Sequence, residues 1–437
     1  NQKKLNMRPV SSDYLEQYNA LLRYVFQVTD QELSSVGWQE KEIIRAKFPT
    51  MEKADVLGWF DGDTLVSQVA VYPMQVRIYG RTYAMGGLTG VGTYPEYSNL
   101  GLMHRLLEQA LRNMRRRGQY ICYLYPYSIP YYRRKGWELV SDTISYEIKD
   151  YQLPKARQVP GTVRRVKPDG PEVKEAYARY AWHTHGAVLR DELAWNEYWL
   201  WDPDDIMAAV YYNERNEPDG YVIYWISNEV FHIKDMIFRS EEARTGLWNF
   251  VSAHFSMITQ VEGSIYTDEP LAFLLEDASI KETISPYYMA RIVDFPAFVA
   301  DYPFKADSME REWRFTLTDP ILECNQGAFR LCISQNGQGR AERISEPCAD
   351  QISIQTMTTM LMGYKRPDYL AKIGRLNADE ATIDMLEDAI EQQAPYISDY
   401  FLEDASLGAL ALKKHLRAQL TAHANAFLAC PTAEPGD

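Results

Sequence analysis

The stretch GLTGVGTYPEYSNLGLMHRLL, residues 87–107, carries the strongest chemical signal in the sequence. A strand-like segment stops at Pro95, and Gly101 opens a run whose apolar residues at 102, 103, 106, 107 and 111 fall on one helical face. The N–H groups of a first helical turn have no acceptor within their helix, and the helix dipole adds positive potential there. A glycine at that place lets a phosphate come close. The pattern predicts an anion cradle made of backbone, needing no basic side chain, and Ser98 and Asn99 offer none. His104 falls on the first turn, where a solvated side chain is the plainer reading than a base.

Strands must deliver the chain to that cradle. VLGWF (56–60), TLVSQVAVYPMQVRIY (64–79) and TYAMGGLTGVGTY (82–94) read as three strands, the first two joined by Asp61-Gly62-Asp63, a strong hairpin signal. Before them, Leu5 to Val10 reads as a strand, Asp13 to Val25 as a helix, and Glu40–Lys47 as a second helix. After the cradle come the strand YICYLYP (120–126), a short helix around 129–134 and the strand WELVSDTISYEI (137–148). This order predicts a mostly antiparallel sheet with helices on its faces.

The Pro/Gly-rich LPKARQVPGTVRRVKPDGP (153–171) reads as a boundary. A second unit follows, with a helix around 172–182, strands at 206–213, 219–227 and 230–238, a helix from Glu241 to Ile258 and the strand MARIVDF (289–295). It repeats the order of the first unit without a glycine at the start of its helix, as a degenerate duplication would. A third unit, 296–401, places strands at 311–319, 327–334, 339–345 and 351–356 before helices at 357–363 and 378–391, a separate α+β layer.

At 437 residues the chain needs several domains, and 46% hydrophobic with 24% charged residues is the balance of a folded protein. The N-terminal NQKKLNMRPVSSDY lacks the apolar segment of a secretory signal, and no run approaches the roughly 18–20 apolar residues of a membrane span, so a cytoplasmic protein without a membrane partner is expected. Five cysteines form no CxxC pair and no His-flanked spacing, so free thiols and no metal are expected. The net charge of −14 disfavours nucleic acid and favours cationic small molecules. Arg115, Arg116 and Arg117 read as the basic last turn of a helix.

At Ser98-Asn99-Leu100-Gly101-Leu102-Met103 the chain resembles the coenzyme A pyrophosphate loop of the GNAT acyltransferase superfamily, usually Q/R-x-x-G-x-G/A, with departures at the first and last positions. Together with VGTYPEYSNLGLM, IPYYRRKGW (129–137), MARIVDF and PYISDYF (395–401), residues 1–401 resemble the Eis (enhanced intracellular survival) N-acetyltransferases. The resemblance implies an α+β fold of two tandem GNAT domains, 1–152 and 153–295, each a mixed, mostly antiparallel sheet with flanking helices. It adds a sterol-carrier-protein-like α+β domain at 296–401.

The resemblance also implies roles. Val91, Gly92 and Thr93 would run along the acetyl-pantetheine arm of acetyl-CoA, pairing through backbone as an added strand does. Asn99, Leu100, Gly101, Leu102, Met103 and His104 would hold the pyrophosphate, with Tyr127 and Ser128 on the opposite wall. The family's general acid falls on Tyr132; a tyrosine of pKa about 10 stays protonated at neutral pH and can deliver a proton to a departing thiolate. Asp294 matches an acidic position of the family's substrate pocket, and Asp30 and Trp38 its amine pocket. Their plainer readings are a cap after a strand and ordinary helix packing.

In this family the chain typically ends at the phenylalanine of a PYISDYF-like motif, and its free carboxylate takes the amine's proton. Here Phe401 is followed by LEDASLGALALKKHLRAQLTAHANAFLACPTAEPGD (402–437), so its carbonyl belongs to an amide and is no base at neutral pH. Leu412, Leu416 and Leu420 recur at a helical spacing, which predicts a helical extension. Three accounts stay open: another base such as Asp399 or the terminal carboxylate of Asp437, removal of the tail to expose the Phe401 carboxylate, or an artificial or out-of-frame extension. The expected activity is acetyl transfer from acetyl-CoA to a primary amine of a cationic substrate, aminoglycoside-like or lysine-like. The competing class is a binding protein for acetyl-CoA or an apolar ligand, its transferase site impaired. Relatives form hexamers, so a homo-oligomer is expected by resemblance.

Overall fold

The computed structural model describes residues 4–35, 48–199 and 205–401. The helix predicted at Glu40–Lys47 lies outside them, as does the tail. The hairpin at Gly62 forms as its sequence predicts: Asp61 pairs with Thr64, and Gly62 takes a φ of 64°, a left-handed conformation that glycine adopts without steric penalty.

Six strands in chain order belong to the first half: β1 (Leu5–Pro9), β2 (Asp55–Asp61), β3 (Thr64–Ile78), β4 (Arg81–Thr93), β5 (Ile121–Leu124) and β6 (Glu138–Leu139). Seven follow: β7 (Asp142–Lys149), β8 (Thr162–Val166), β9 (Met207–Tyr212), β10 (Pro218–Ser227), β11 (Val230–Phe238), β12 (Gln260–Ile265) and β13 (Lys281–Pro286). Each set contains one parallel pair, which requires a crossover. β4 and β5 meet at Met85–Gly87 against Ile121–Tyr123, with the helix Leu102–Arg116 between them in sequence. β11 and β12 meet at Val230–Ile233 against Gln260–Gly263, with the helix Glu241–Ser252 in that role.

The two sheets exchange strands. β14 (Met289–Ile292), expected to close the second unit, runs antiparallel between β5 and β6 of the first sheet. β7, expected as one strand with β6, runs antiparallel between β12 and β13 of the second. The run WELVSDTISYEI breaks at Val140-Ser141 because the two crossing strands hold each other there. The Val140 N–H donates to the Tyr288 carbonyl at 3.0 Å, and the N–H groups of Tyr287 and Tyr288 donate to the Ser141 carbonyl and hydroxyl at 2.9 and 3.1 Å.

The third sheet contains β15 (Arg311–Thr318), β16 (Gly327–Ile333), β17 (Gly339–Arg343), β18 (Gln351–Ser353) and β19 (Leu376–Asn377), in the order β17-β16-β15-β18-β19. The strand expected at 351–356 ends early: Ser353 accepts the Thr356 N–H at 3.1 Å and caps the helix Ile354–Leu361. Four strands were not legible, among them the two-residue β19. β8 hides in the Pro/Gly-rich stretch, β12 has one buried residue, and β13 is a largely exposed edge strand without apolar alternation.

Two compact units are distinguishable, one within residues 1–72 and 88–107, the other within 73–87 and 108–401. In the first, the helix Leu15–Val25 buries Leu15, Tyr18, Leu21 and Leu22, and the buried Gln68 donates to the Tyr18 carbonyl at 3.0 Å. In the second, His185 is buried and stacked on Tyr79 with ring centres 3.6 Å apart. Its Nδ1 accepts the Tyr79 N–H at 3.1 Å, which leaves Nε2 to donate to the Met362 carbonyl at 2.6 Å.

Burial lowers the His185 pKa to about 4. The unfolded imidazole binds a proton at a pKa of about 6.5, so the neutral ring contributes stability above that pH, and the contribution is lost as pH falls towards about 4. The stability advantage of the wild type over His185→Gln should shrink by about 2 kcal/mol between pH 7 and pH 5, read from urea unfolding midpoints. A constant difference would contradict this account of the ring.

Candidate active site

The predicted cradle takes shape in the first unit. β4 ends at Thr93, a 3-10 turn covers Pro95–Tyr97, and the helix begins at Leu102. Asn99 and Gly101 both have left-handed backbones, with φ of 64° and 71°. Asparagine tolerates that region better than other side chains and glycine enters it freely, so the residue types suit the turn. Such turns direct successive N–H groups to one side as an anion-binding concavity. Ser98, Asn99, Leu100 and Gly101 are exposed, and His104 is half-buried on the first helical turn.

Two interactions fix where the helix starts. The buried Trp59 donates from Nε1 to the Leu102 carbonyl at 3.0 Å, and the Arg105 guanidinium lies 5.4 Å from the Trp59 ring centre. Val91 and Gly92 are buried on β4, and the Thr93 hydroxyl pairs with that of Ser67 at 2.7 Å. A β-carbon on Gly90, whose φ is 66°, would overlap the Tyr18 hydroxyl.

Tyr132 lies in the second unit on the short helix Ile129–Arg134, and its side chain is fully buried. Edge-to-face rings surround it: Tyr131 at 5.2 Å, Tyr127 at 5.6 Å and Trp137 at 5.8 Å. Tyr127 is half-exposed, and Ser128 is the helix cap, its hydroxyl accepting the Tyr131 N–H at 3.3 Å. The loop after the helix is locked from below by Arg291 of β14. Nη1 donates to the Lys135 carbonyl at 2.9 Å, and Nη2 donates to both Asp319 oxygens at 2.6 Å, with neither side chain exposed. Sequence reasoning missed this pair, since nothing local links a strand residue to a loop residue 28 positions away.

Asp294, expected in the substrate pocket, and Asp399, expected there or as a base, are both engaged by arginines. Asp294 accepts Arg115 Nε at 2.8 Å with one oxygen and the Ala297 N–H at 3.1 Å with the other, capping the helix Phe295–Asp301. It lines a cavity of about 540 Å³ with Gln109, Arg112, Arg115, Arg116 and Tyr120, a setting that disfavours a cationic amine. Asp399 is buried, and Arg190 Nε donates to its two oxygens at 3.2 and 3.1 Å. Burial pushes the Asp399 carboxyl above the usual carboxylate range, and the Arg190 charge opposes that rise. Neither is an open acceptor for substrate.

Asp30 pairs with Arg23 at 2.7 Å but its side chain is 87% exposed, which keeps it accessible. Trp38 and Asp437 lie outside the described residues. The Phe401 side chain is buried beside Tyr288, ring centres 5.2 Å apart, and its N–H donates to the Tyr288 hydroxyl at 3.2 Å.

Residues 6–140 match an acetyltransferase (GNAT) domain, residues 186–292 match a second one, and residues 295–398 match a sterol carrier protein domain. A solved structure from Enterococcus faecalis, described as a conserved protein of unknown function and probable N-acyltransferase, superposes with a TM-score of 0.83 at 25% identity, over 91% of this chain and 100% of that one. Eis1 from Mycobacterium abscessus superposes with a TM-score of 0.73 at 18% identity, over 91% of this chain and 100% of that one, a likeness of fold. The chain carries two GNAT acetyltransferase domains followed by a sterol carrier protein domain. This acetyltransferase is also 21% identical over 402 residues to an uncharacterized N-acetyltransferase of Streptomyces griseus, covering 84% of this chain and 94% of the relative.

The acetyltransferase depends on Gly136 for the loop after Tyr132. Its φ is 100°, and an added β-carbon would overlap Arg291 Nη1. Gly136→Ala should destabilise by at least about 3 kcal/mol, because it strains the backbone and displaces a buried ion pair. Gly62→Ala, at a φ of 64° with open space around it, should lose only about 1 kcal/mol. Urea midpoints of the two variants separate these, and equal losses would refute the buried lock.

Proposed function

We propose that the protein transfers the acetyl group of acetyl-CoA to a primary amine of a small cationic substrate, aminoglycoside-like or lysine-like. The observation that carries the donor assignment is the backbone turn at Asn99 and Gly101 opening onto the first N–H groups of the helix Leu102–Arg116. Asn99 to His104 would take the pyrophosphate, and the backbone of Val91–Thr93 would pair with the pantetheine arm. Tyr127 and Ser128 would flank the donor.

Chemistry follows by direct transfer. The amine nitrogen attacks the thioester carbonyl, the carbon–sulfur bond breaks, and the Tyr132 hydroxyl protonates the thiolate. The ammonium proton passes to water or to a carboxylate. The Arg190 guanidinium engages Asp399, which favours the Phe401 carboxylate of a chain cut there, or the terminal carboxylate of Asp437, as the acceptor. The charge of −14 and the exposed Asp30 favour a cationic substrate. Among the described residues no helix is long and apolar enough to cross a membrane. A cytoplasmic homo-oligomer, hexameric by resemblance, completes the reading.

Tyr132→Phe should lower kcat by about 10²–10⁴-fold while leaving acetyl-CoA affinity unchanged, measured by steady-state kinetics and calorimetry. Full activity in that variant would remove Tyr132 as the acid. Truncation after Phe401 should raise kcat on an aminoglycoside panel if its carboxylate is the acceptor. An unchanged rate assigns the proton to water.

A further inference from the structure

Pro395–Phe401 forms no helix or strand, yet every residue of it except the half-buried Tyr400 is buried. Each polar group and charge in such a segment needs a partner, because water cannot reach it. The core of the second GNAT domain supplies most of them. Arg190, its side chain fully buried, lies between the rings of Tyr177 and Tyr198, at 3.8 and 3.9 Å from their centres. Besides Asp399 it donates to the Ser398 hydroxyl, at 2.8 Å. Asp235 of β11, also buried, accepts the hydroxyl of Tyr396. The Tyr396 N–H donates to the His185 carbonyl at 2.9 Å, and the Tyr287 hydroxyl donates to the Asp399 carbonyl at 2.7 Å.

The far end of the segment rests on the first sheet. A β-carbon on Gly87 of β4 would lie 3.2 Å from the Phe401 ring, and Tyr288, next to β14, takes the Phe401 N–H. The second domain's own crossover helix is capped by Ser240, which accepts the Ala243 N–H at 3.1 Å. Its inward-facing polar residues serve the chain's own segment.

Replacing a buried ion pair by apolar side chains is often neutral or stabilising, so Arg190–Asp399 is a poor device for stability alone. It is a good device for register: a slip of the segment by one residue would leave two buried charges unpaired. We propose that the second GNAT domain is a clamp in which Arg190 and Asp235 are positioning residues, fixing Phe401 against β4 and β14 for acetyl transfer. The link to catalysis rests on the function proposed above; the clamp itself does not.

The test compares the wild type with the double variant Arg190→Met/Asp399→Leu by hydrogen exchange over residues 395–401 and thermal melting and, with both chains truncated after Phe401 so that its carboxylate is free, by kcat and acetyl-CoA affinity. The clamp predicts a melting temperature near that of the wild type, exchange over 395–401 faster by about tenfold or more, kcat lower by about tenfold or more, and unchanged acetyl-CoA affinity. A merely structural pair would leave exchange and kcat unchanged once stability is restored. Wild-type exchange overturns the clamp, and fast exchange with wild-type kcat overturns its role in transfer. If the double variant does not fold, Tyr287→Phe and Tyr396→Phe, each lacking one hydroxyl, give the same two readouts. If the wild type transfers no acetyl group, the proposed function fails, while the exchange comparison still decides the clamp.

Discussion

A strand's backbone must be hydrogen-bonded on both edges unless water reaches it, and in this protein that requirement is met by exchange. β5 and β12 are each the second strand of a parallel pair, and each is completed by a strand from the other half of the chain. All four residues of β14 are buried, as a central strand covered on both faces requires. Neither half has a closed sheet of its own, and the crossing at Val140-Ser141 and Tyr287-Tyr288 is where they are tied.

The exchange sets what can reach the chemistry. Because β14 enters beside β5, it brings Arg291 under the loop that follows Tyr132 and leads directly into the helix capped by Asp294. Because Tyr287 and Tyr288 precede β14, they meet the buried segment that ends at Phe401. Two buried ion pairs, Arg291–Asp319 and Arg190–Asp399, hold the pieces of chain that meet these strands. Each restricts an irregular piece of chain to one register, which apolar packing does less strictly.

Legibility followed sequence distance. The hairpin at Gly62, the helix after Gly101 and the short helix at 129–134 were read correctly because their signals are a few residues long: turn formers, a helical period, a cap. The edge strand β13 escaped because its side chains face solvent and carry no alternation. The break inside WELVSDTISYEI escaped because its cause, Tyr288, pairs with Ser141 from 147 positions away. Among the candidate site residues, the turn at Asn99 and Gly101 and the helix behind it form where the sequence places them, whereas Asp294 and Asp399 are engaged by arginines 179 and 209 positions distant.

The sequence by itself determined the turn before the first crossover helix, since left-handed backbone at Asn99 and Gly101 and the helix behind them are local preferences of those residue types. It also determined the three-part organisation, through the change from two-residue to helical periodicity along each unit. Only the tertiary structure decided which carboxylates are paired, which strands complete which sheet, and what holds PYISDYF in place. A charge's availability depends on the partner that folding brings to it, and pairing over two hundred residues leaves no mark in the local pattern.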